Sequence, residues 1–146
     1  MELPHDSVVL VADGRKMLFL RNEGDEAHPN LVVETAREQD NPATRDQATD
    51  AAGRASTPLG VRGTSVEPTD FHQIEEDRFA ADAADLLKRR ALANAYDSLI
   101  VVAPPRTLGE LRKHYHVEVT RRLKGEIDKD LTGHRIGDIE NALRNA

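Results

Sequence analysis

The sequence contains no cysteine and no tryptophan. The first absence excludes disulfides, thiolate metal ligands and a cysteine nucleophile. Aromatic residues are scarce: Phe19, Phe71, Phe79, Tyr96 and Tyr115 are the whole set. A core must therefore be built mainly from Val, Leu, Ile and Ala. No apolar run approaches the ~20 residues that cross a bilayer as a helix. The opening "MELPHDSVVLVADG" lacks the basic start and apolar centre of an export signal. A soluble, cytoplasmic protein without membrane insertion is expected. No phosphate loop, paired-glycine dinucleotide fingerprint or HExxH occurs, and no cofactor is expected.

What is present is charge, unevenly spread. The chain of 146 residues has the length of one domain and a formal net charge of −6. From Glu67 to Asp85 there are seven acids and one base. From Lys88 to Lys124 there are nine bases, Lys88, Arg89, Arg90, Arg106, Arg112, Lys113, Arg121, Arg122 and Lys124, against three acids. A segment of +6 in an acidic protein points to a polyanionic partner. The plainer reading of Lys88 to Arg90 is a helix end, where bases suit the dipole.

"SVVLVADGRKMLFLRN" reads as a hairpin, with Asp13-Gly14 as a tight turn of positive φ. Val9 and Val11 lie on one face, Val8 and Leu10 on the other, so the first strand belongs in mid-sheet. "PNLVVETA" reads as a third strand of a meander. From about Arg37 to Thr69 no hydrophobic period survives. Such a stretch is either a functional loop or a disordered one, and its Arg54 and Arg62 would anchor a polyanion in the first case.

"QIEEDRFAADAADLLKRRALANAY" is a helix with the stripe Phe79, Ala83, Leu86, Leu87 and Ala91, ending at Tyr96. Glu75, Glu76 and Asp77 suit its first turn. "SLIVVAP" reads as a buried parallel strand. Thr107 and Glu110 fit a capping box, opening a helix striped by Leu108, Leu111, Tyr115, Val119 and Leu123 and stopped by Gly125. The β-branched cluster at residues 117–120 kinks or splits it. "GEIDKDLT" alternates as a short strand with Ile127 and Leu131 on one face. "IGDIENALRN" closes as a helix with Ile136, Ile139 and Leu143 inward. The expected fold is α/β: a mixed sheet of about five strands with three helices packed on it.

Chemistry is thinly signalled. His114 and His116 are two apart, which on one helix faces them differently, and His5, His28, His72 and His134 are scattered. No metal site is expected from them. Asp13, Asp97, Asp128 and Asp130 fall near strand ends and could hold Mg²⁺ for phosphodiester cleavage, as on a ribonuclease-H-like fold. Ser56, Thr57, Thr64 and Ser65 lack any neighbouring base signature.

Two stretches carry a resemblance over the whole chain. They are "EEDRFAADAADLLKRRALANAYDSLIVVAPPRTLGELRKHY" and "RRLKGEIDKDLTGHRIGDIENAL". Together they resemble the bacterial host attachment protein family, named for attachment to host cells. That family in turn looks like a distant relative of the middle domain of eukaryotic and archaeal class-1 release factors and of Pelota. In those domains strands lead to a loop carrying Gly-Gly-Gln, then to a helix opening with Arg-Phe. Here Arg78-Phe79 and "LIVVAPP" stand in the corresponding order, but the chain has no Gly-Gly-Gln. The resemblance implies a single domain over 1–146 with a long loop at about 37–70. It implies a non-enzymatic, cytoplasmic binding domain that contacts ribosome, tRNA or a protein and does not hydrolyse peptidyl-tRNA. The nucleic-acid-binding candidates are Arg54, Arg62, Arg89, Arg106, Arg112, Lys113, Arg121, Arg122 and Lys124; a metal-dependent nuclease is the alternative.

Overall fold

The computed structural model describes residues 1–39 and 68–146. β1 (Val8–Ala12), β2 (Lys16–Asn22) and β3 (Leu31–Glu38) form the meander. There follow α1 (Pro68–Leu92), β4 (Leu99–Val102), α2 (Pro105–His114), α3 (Val117–Arg122), β5 (Leu123–Ile127) and α4 (Ile136–Arg144). The five strands make one sheet in the order β3-β2-β1-β4-β5. β2 is antiparallel to β1 and β3, while β4 is parallel to β1 and β5. The mixed α/β sheet is therefore as expected, with β1 in the middle and four helices rather than three among the described residues.

All five residues of β1 are buried. Val8 and Leu10 join Phe19, Leu99 and Val101 on the face covered by α1, α2 and α3. Val9 and Val11 join Ile100 and Val102 on the face covered by α4, through Ile139 and Leu143. The expected stripe of α1 is buried in full: Phe79, Ala83, Leu86, Leu87 and Ala91. Its alanines let the helix sit close to the sheet, and Tyr96 fills the space beyond its end. The Tyr96 ring meets Phe19 edge-on at 6.2 Å, and its hydroxyl donates to the Leu87 carbonyl at 2.9 Å.

Four local expectations are corrected. The first turn centres on Gly14-Arg15, not Asp13-Gly14: Asp13 pairs with Lys16 across it, and no described glycine has positive φ. Asp13 instead accepts the following backbone N–H groups with its own carboxylate, which closes the turn without a left-handed residue. Helix α1 begins at Pro68, so Glu75 to Asp77 and Arg78-Phe79 lie well inside it. It ends at Leu92, where Asn94 (φ 56°) supplies the left-handed residue. The Asn94 N–H reaches the Ala91 carbonyl and the Ala95 N–H that of Arg90, the bonding pattern of a Schellman stop.

The third concerns the predicted helix over residues 107–124: it is split, one of the two outcomes expected of the β-branched cluster, but its last residues belong to a strand. α2 begins on Pro105, with Pro104 as its N-cap and no side-chain cap, because proline at the first helical position sets φ and lacks only an orphan N–H. Thr107 is buried within the helix, and Glu110 pairs with Lys113 instead of reaching back. Tyr115 and His116 are extended, and the His116 ring accepts the Glu118 N–H at 3.0 Å to open α3. The fourth is β5. It starts at Leu123 and includes Gly125, opposite Ile100, and it stops at Ile127. Leu131 lies beyond it, packed under α4.

The depth of these side chains sets a measurable contrast. Leu87→Ala, at a fully buried site, should lose about 2–5 kcal/mol in urea unfolding. Ile74→Ala, on the same helix but 49% exposed, should change stability by less than about 0.5 kcal/mol.

Candidate functional site at the carboxyl edge of the sheet

Only β2 runs against the other four described strands, so four carboxyl ends share one edge. β1 delivers Asp13 there, β3 delivers Gln39, β4 delivers Ala103 and β5 delivers Asp128. In open α/β sheets this is the edge where ligands are held.

Asp13 is fixed from two sides. Its Oδ1 accepts the N–H groups of Arg15 at 2.7 Å and Lys16 at 2.6 Å. Its Oδ2 accepts the hydroxyl of Thr132 at 2.7 Å, and the same hydroxyl lies 2.9 Å from Asp130 Oδ1. A hydroxyl has one proton to give, so the buried Thr132 shares it between two carboxylates and ties the β5–α4 connection to the β1–β2 turn. Thr132 was not singled out in the sequence. The Asp-x-Thr spacing, which lets Asp130 accept the Thr132 N–H, was the available signal.

The end of β3 and the N-terminal part of α1 meet at this turn. The Gln39 N–H donates to the Arg15 carbonyl at 2.6 Å, and its side-chain amide donates to Glu75 on α1 at 2.8 Å. Glu76 lies directly over the turn: a Cβ on Gly14 would collide with its carboxylate. The Arg54 and Arg62 anchors lie in residues 40–67, outside the described residues, but the segment leaves β3 at Gln39, which is fixed beside the Asp13 turn.

The four aspartates weighed for a nuclease do not converge. Asp13 and Asp130 meet at Thr132, and Asp128 follows β5 on the same edge. Asp97 precedes β4, at the opposite edge. Among the described residues no three His, Asp or Glu side chains gather closely enough to hold a metal ion. His114 ends α2 and His116 caps α3, so the two belong to different elements.

Most of the basic candidates have carboxylate partners. Arg89 pairs with Asp85 at 2.9 Å, Arg112 with Glu126 at 2.7 Å, Lys113 with Glu110 at 2.7 Å and Arg121 with Glu118 at 3.2 Å. Arg122 is a structural clamp. It bonds Glu118 at 2.8 Å, the Tyr96 carbonyl at 2.9 Å and Asn94 at 3.0 Å, joining α3 to the end of α1. Arg106 and Lys124 form no ion pair with any described residue. Arg106 stands in the first turn of α2 at the carboxyl edge; Lys124 stands at the start of β5, at the other edge. The +6 segment is thus no single basic face. Arg90, in the same run, is likewise structural: its guanidinium lies 4.1 Å over the Phe19 ring and 3.7 Å from Glu34.

The electrostatics follow these pairs. The Arg122 hydrogen bond, with the charges of Arg121 and Arg122, holds the Glu118 carboxyl below the usual carboxylate range. Hydrogen bonds to Glu126 and Glu110 raise Arg112 and Lys113 respectively. Burial pushes the Tyr96 hydroxyl up to about 12. Burial, then the Glu126 carboxylate that accepts its proton at 2.9 Å, raises Tyr115 further.

The mixed α/β layout of the described residues agrees with the comparison against known families. The chain matches the model of bacterial archaeo-eukaryotic release factor family 12 over residues 6–143. It belongs to that family. The match supports the release-factor half of the sequence resemblance and not the host-attachment half. No curated protein matches the chain.

Because Glu118 is lowered in the folded state, its stabilisation is complete above the ordinary carboxylate value and is lost as pH falls through the lowered one. Glu118→Gln should therefore lower Tm at neutral pH. The gap from the parent protein should close as pH drops below about 4, as thermal melts over a pH series would record.

Proposed function

We propose that this domain binds RNA of the translation machinery, ribosome or tRNA, and does not hydrolyse peptidyl-tRNA. The carrying observation is the combination of release-factor family membership with a chain that has no Gly-Gly-Gln. Hydrolysis in the release-factor domains that this chain resembles depends on that glutamine to position water. What this chain keeps is the platform: a long segment, Gly- and Arg-bearing, that leaves the sheet at Gln39 beside the Asp13 turn. Arg54, Arg62 and Arg106 would contact phosphates, which supply affinity without reading sequence. The helix-paired Arg89, Lys113 and Arg121 add a weaker, salt-screened field. The attachment phenotype of the resembling family would then arise indirectly, from a cytoplasmic protein acting on translation.

Co-sedimentation with ribosomes and binding to tRNA over a salt series test this reading. Binding should weaken steeply as salt rises. Charge reversal of Arg54, Arg62 and Arg106 to Glu should cost about tenfold or more, and Arg89→Glu should cost much less. No association at low salt would overturn the binding role. Release of peptide from peptidyl-tRNA by the parent protein would overturn the non-hydrolytic one.

A further inference from the structure

The edge opposite the candidate site carries a feature that the RNA-binding reading does not use. A cavity of about 850 Å³ opens where β1, β4 and β5 begin, walled by the N-terminal segment, Arg21 of β2 and the α1–β4 connection. Its volume falls in the range of small-molecule sites.

Much of the backbone around the cavity is already bonded. The Ser7 N–H reaches the Pro4 carbonyl, and the Ser7 carbonyl accepts the Asn22 N–H. Arg21 donates to the carbonyls of Asp6 and Ala95 while pairing with Glu34. Arg122 holds the Tyr96 carbonyl. The frame is therefore built, and several side-chain groups in its lining, those of Glu2, Asp97, Ser98 and Lys124 among them, have no hydrogen bond or ion pair to a described residue. The Ser7 hydroxyl is buried, in a residue 1% exposed, and has no hydrogen-bond partner. An unpaired buried hydroxyl costs about 1–3 kcal/mol, a cost that alanine at this position would avoid. Asp97 and Lys124, of opposite charge, both line the cavity, and neither is ion-paired or hydrogen-bonded to a described residue.

Lys124 is there for a definite geometric reason. The β4–β5 register pairs Leu99 with Leu123 but Ile100 with Gly125, so Lys124 is the extra residue of a bulge. A bulge re-aims a side chain, and bulges concentrate at sheet edges beside functional sites. The neighbouring Pro4, Ala95 and Tyr96 supply apolar wall.

We infer that this cavity binds a small zwitterion of the amino-acid class. Lys124, the unpaired base of the lining, takes the carboxylate, and Asp97 takes the ammonium group. The two charges select for a ligand carrying both signs. A simple anion leaves Asp97 unpaired, and a simple amine leaves Lys124 unpaired.

The test is a titration of the full, isotope-labelled chain, followed by amide shifts, with glycine, leucine and glutamate as probes and acetate and methylammonium as half-probes. At least one amino acid should give saturable shifts at Ser7, Ala95 and Lys124 and leave Asp13 and Thr132 unmoved. Lys124→Gln and Asp97→Asn should each weaken that binding about tenfold, with spectra otherwise those of the folded protein. Lys113→Gln, away from the cavity, should leave it unchanged. Absence of saturable shifts with all three amino acids overturns the proposal. So does equal binding of the half-probes, or binding indifferent to Lys124 and Asp97. None of these outcomes bears on ribosome or tRNA association, which is read separately.

Discussion

Everything positional in this domain depends on the burial of β1 from both sides. Val8, Leu10 and Ala12 face one helical layer, and Val9 and Val11 face the other. A strand apolar on both faces has no solvent side to turn toward, so it must sit in mid-sheet with a paired strand at each side. One register slip would exchange its two sets of side chains between unequal layers. With β1 fixed, its end at Asp13 becomes the fixed point of the carboxyl edge, and its start at Ser7 becomes the floor of the opposite cavity.

The charged residues are used against this apolar frame in two ways. Some close it. Arg90 lies on the Phe19 ring and against Glu34, and Arg122 clamps the end of α1 to α3. Others are delivered by irregularity. The β2–β3 register pairs Phe19 with Thr35 and Leu20 with Val33, leaving Glu34 as the extra residue. Glu34 meets Arg21 and Arg90. The β4–β5 bulge does the same for Lys124 without giving it a partner. One bulge completes an ion-pair network; the other leaves a charge available.

The apolar patterns were legible in the sequence because burial acts on every residue of an element. β1, β4, the stripe of α1 and the inward face of α4 follow directly from them. Local rules competed less well where tertiary contacts decided. Thr107-x-x-Glu110 has the letters of a capping box, but Pro105 had already set the helix start. Gly125 looks like a helix stop, yet the chain had turned into β5 two residues earlier. The site was less legible than the fold. Clustered Arg and Lys letters suggested one basic face, but a charge count does not show that Glu126, Glu118 and Asp85 stand opposite. The ties of Gln39 to Glu75 and of Thr132 to Asp13 join residues distant in sequence, and no local pattern announces them.

The proposed RNA-binding role implies an orientation: the carboxyl edge, where β3 ends at Gln39 beside the Asp13 turn, would be the side turned toward RNA. The most direct measurement places a photo-crosslinking residue at position 106, in the first turn of α2 on that edge, and in a second protein at position 92, the exposed end of α1 at the other edge. With ribosomes and tRNA present, position 106 should crosslink to RNA and position 92 should not. Crosslinks from position 92 alone, or equally from both, would contradict the account.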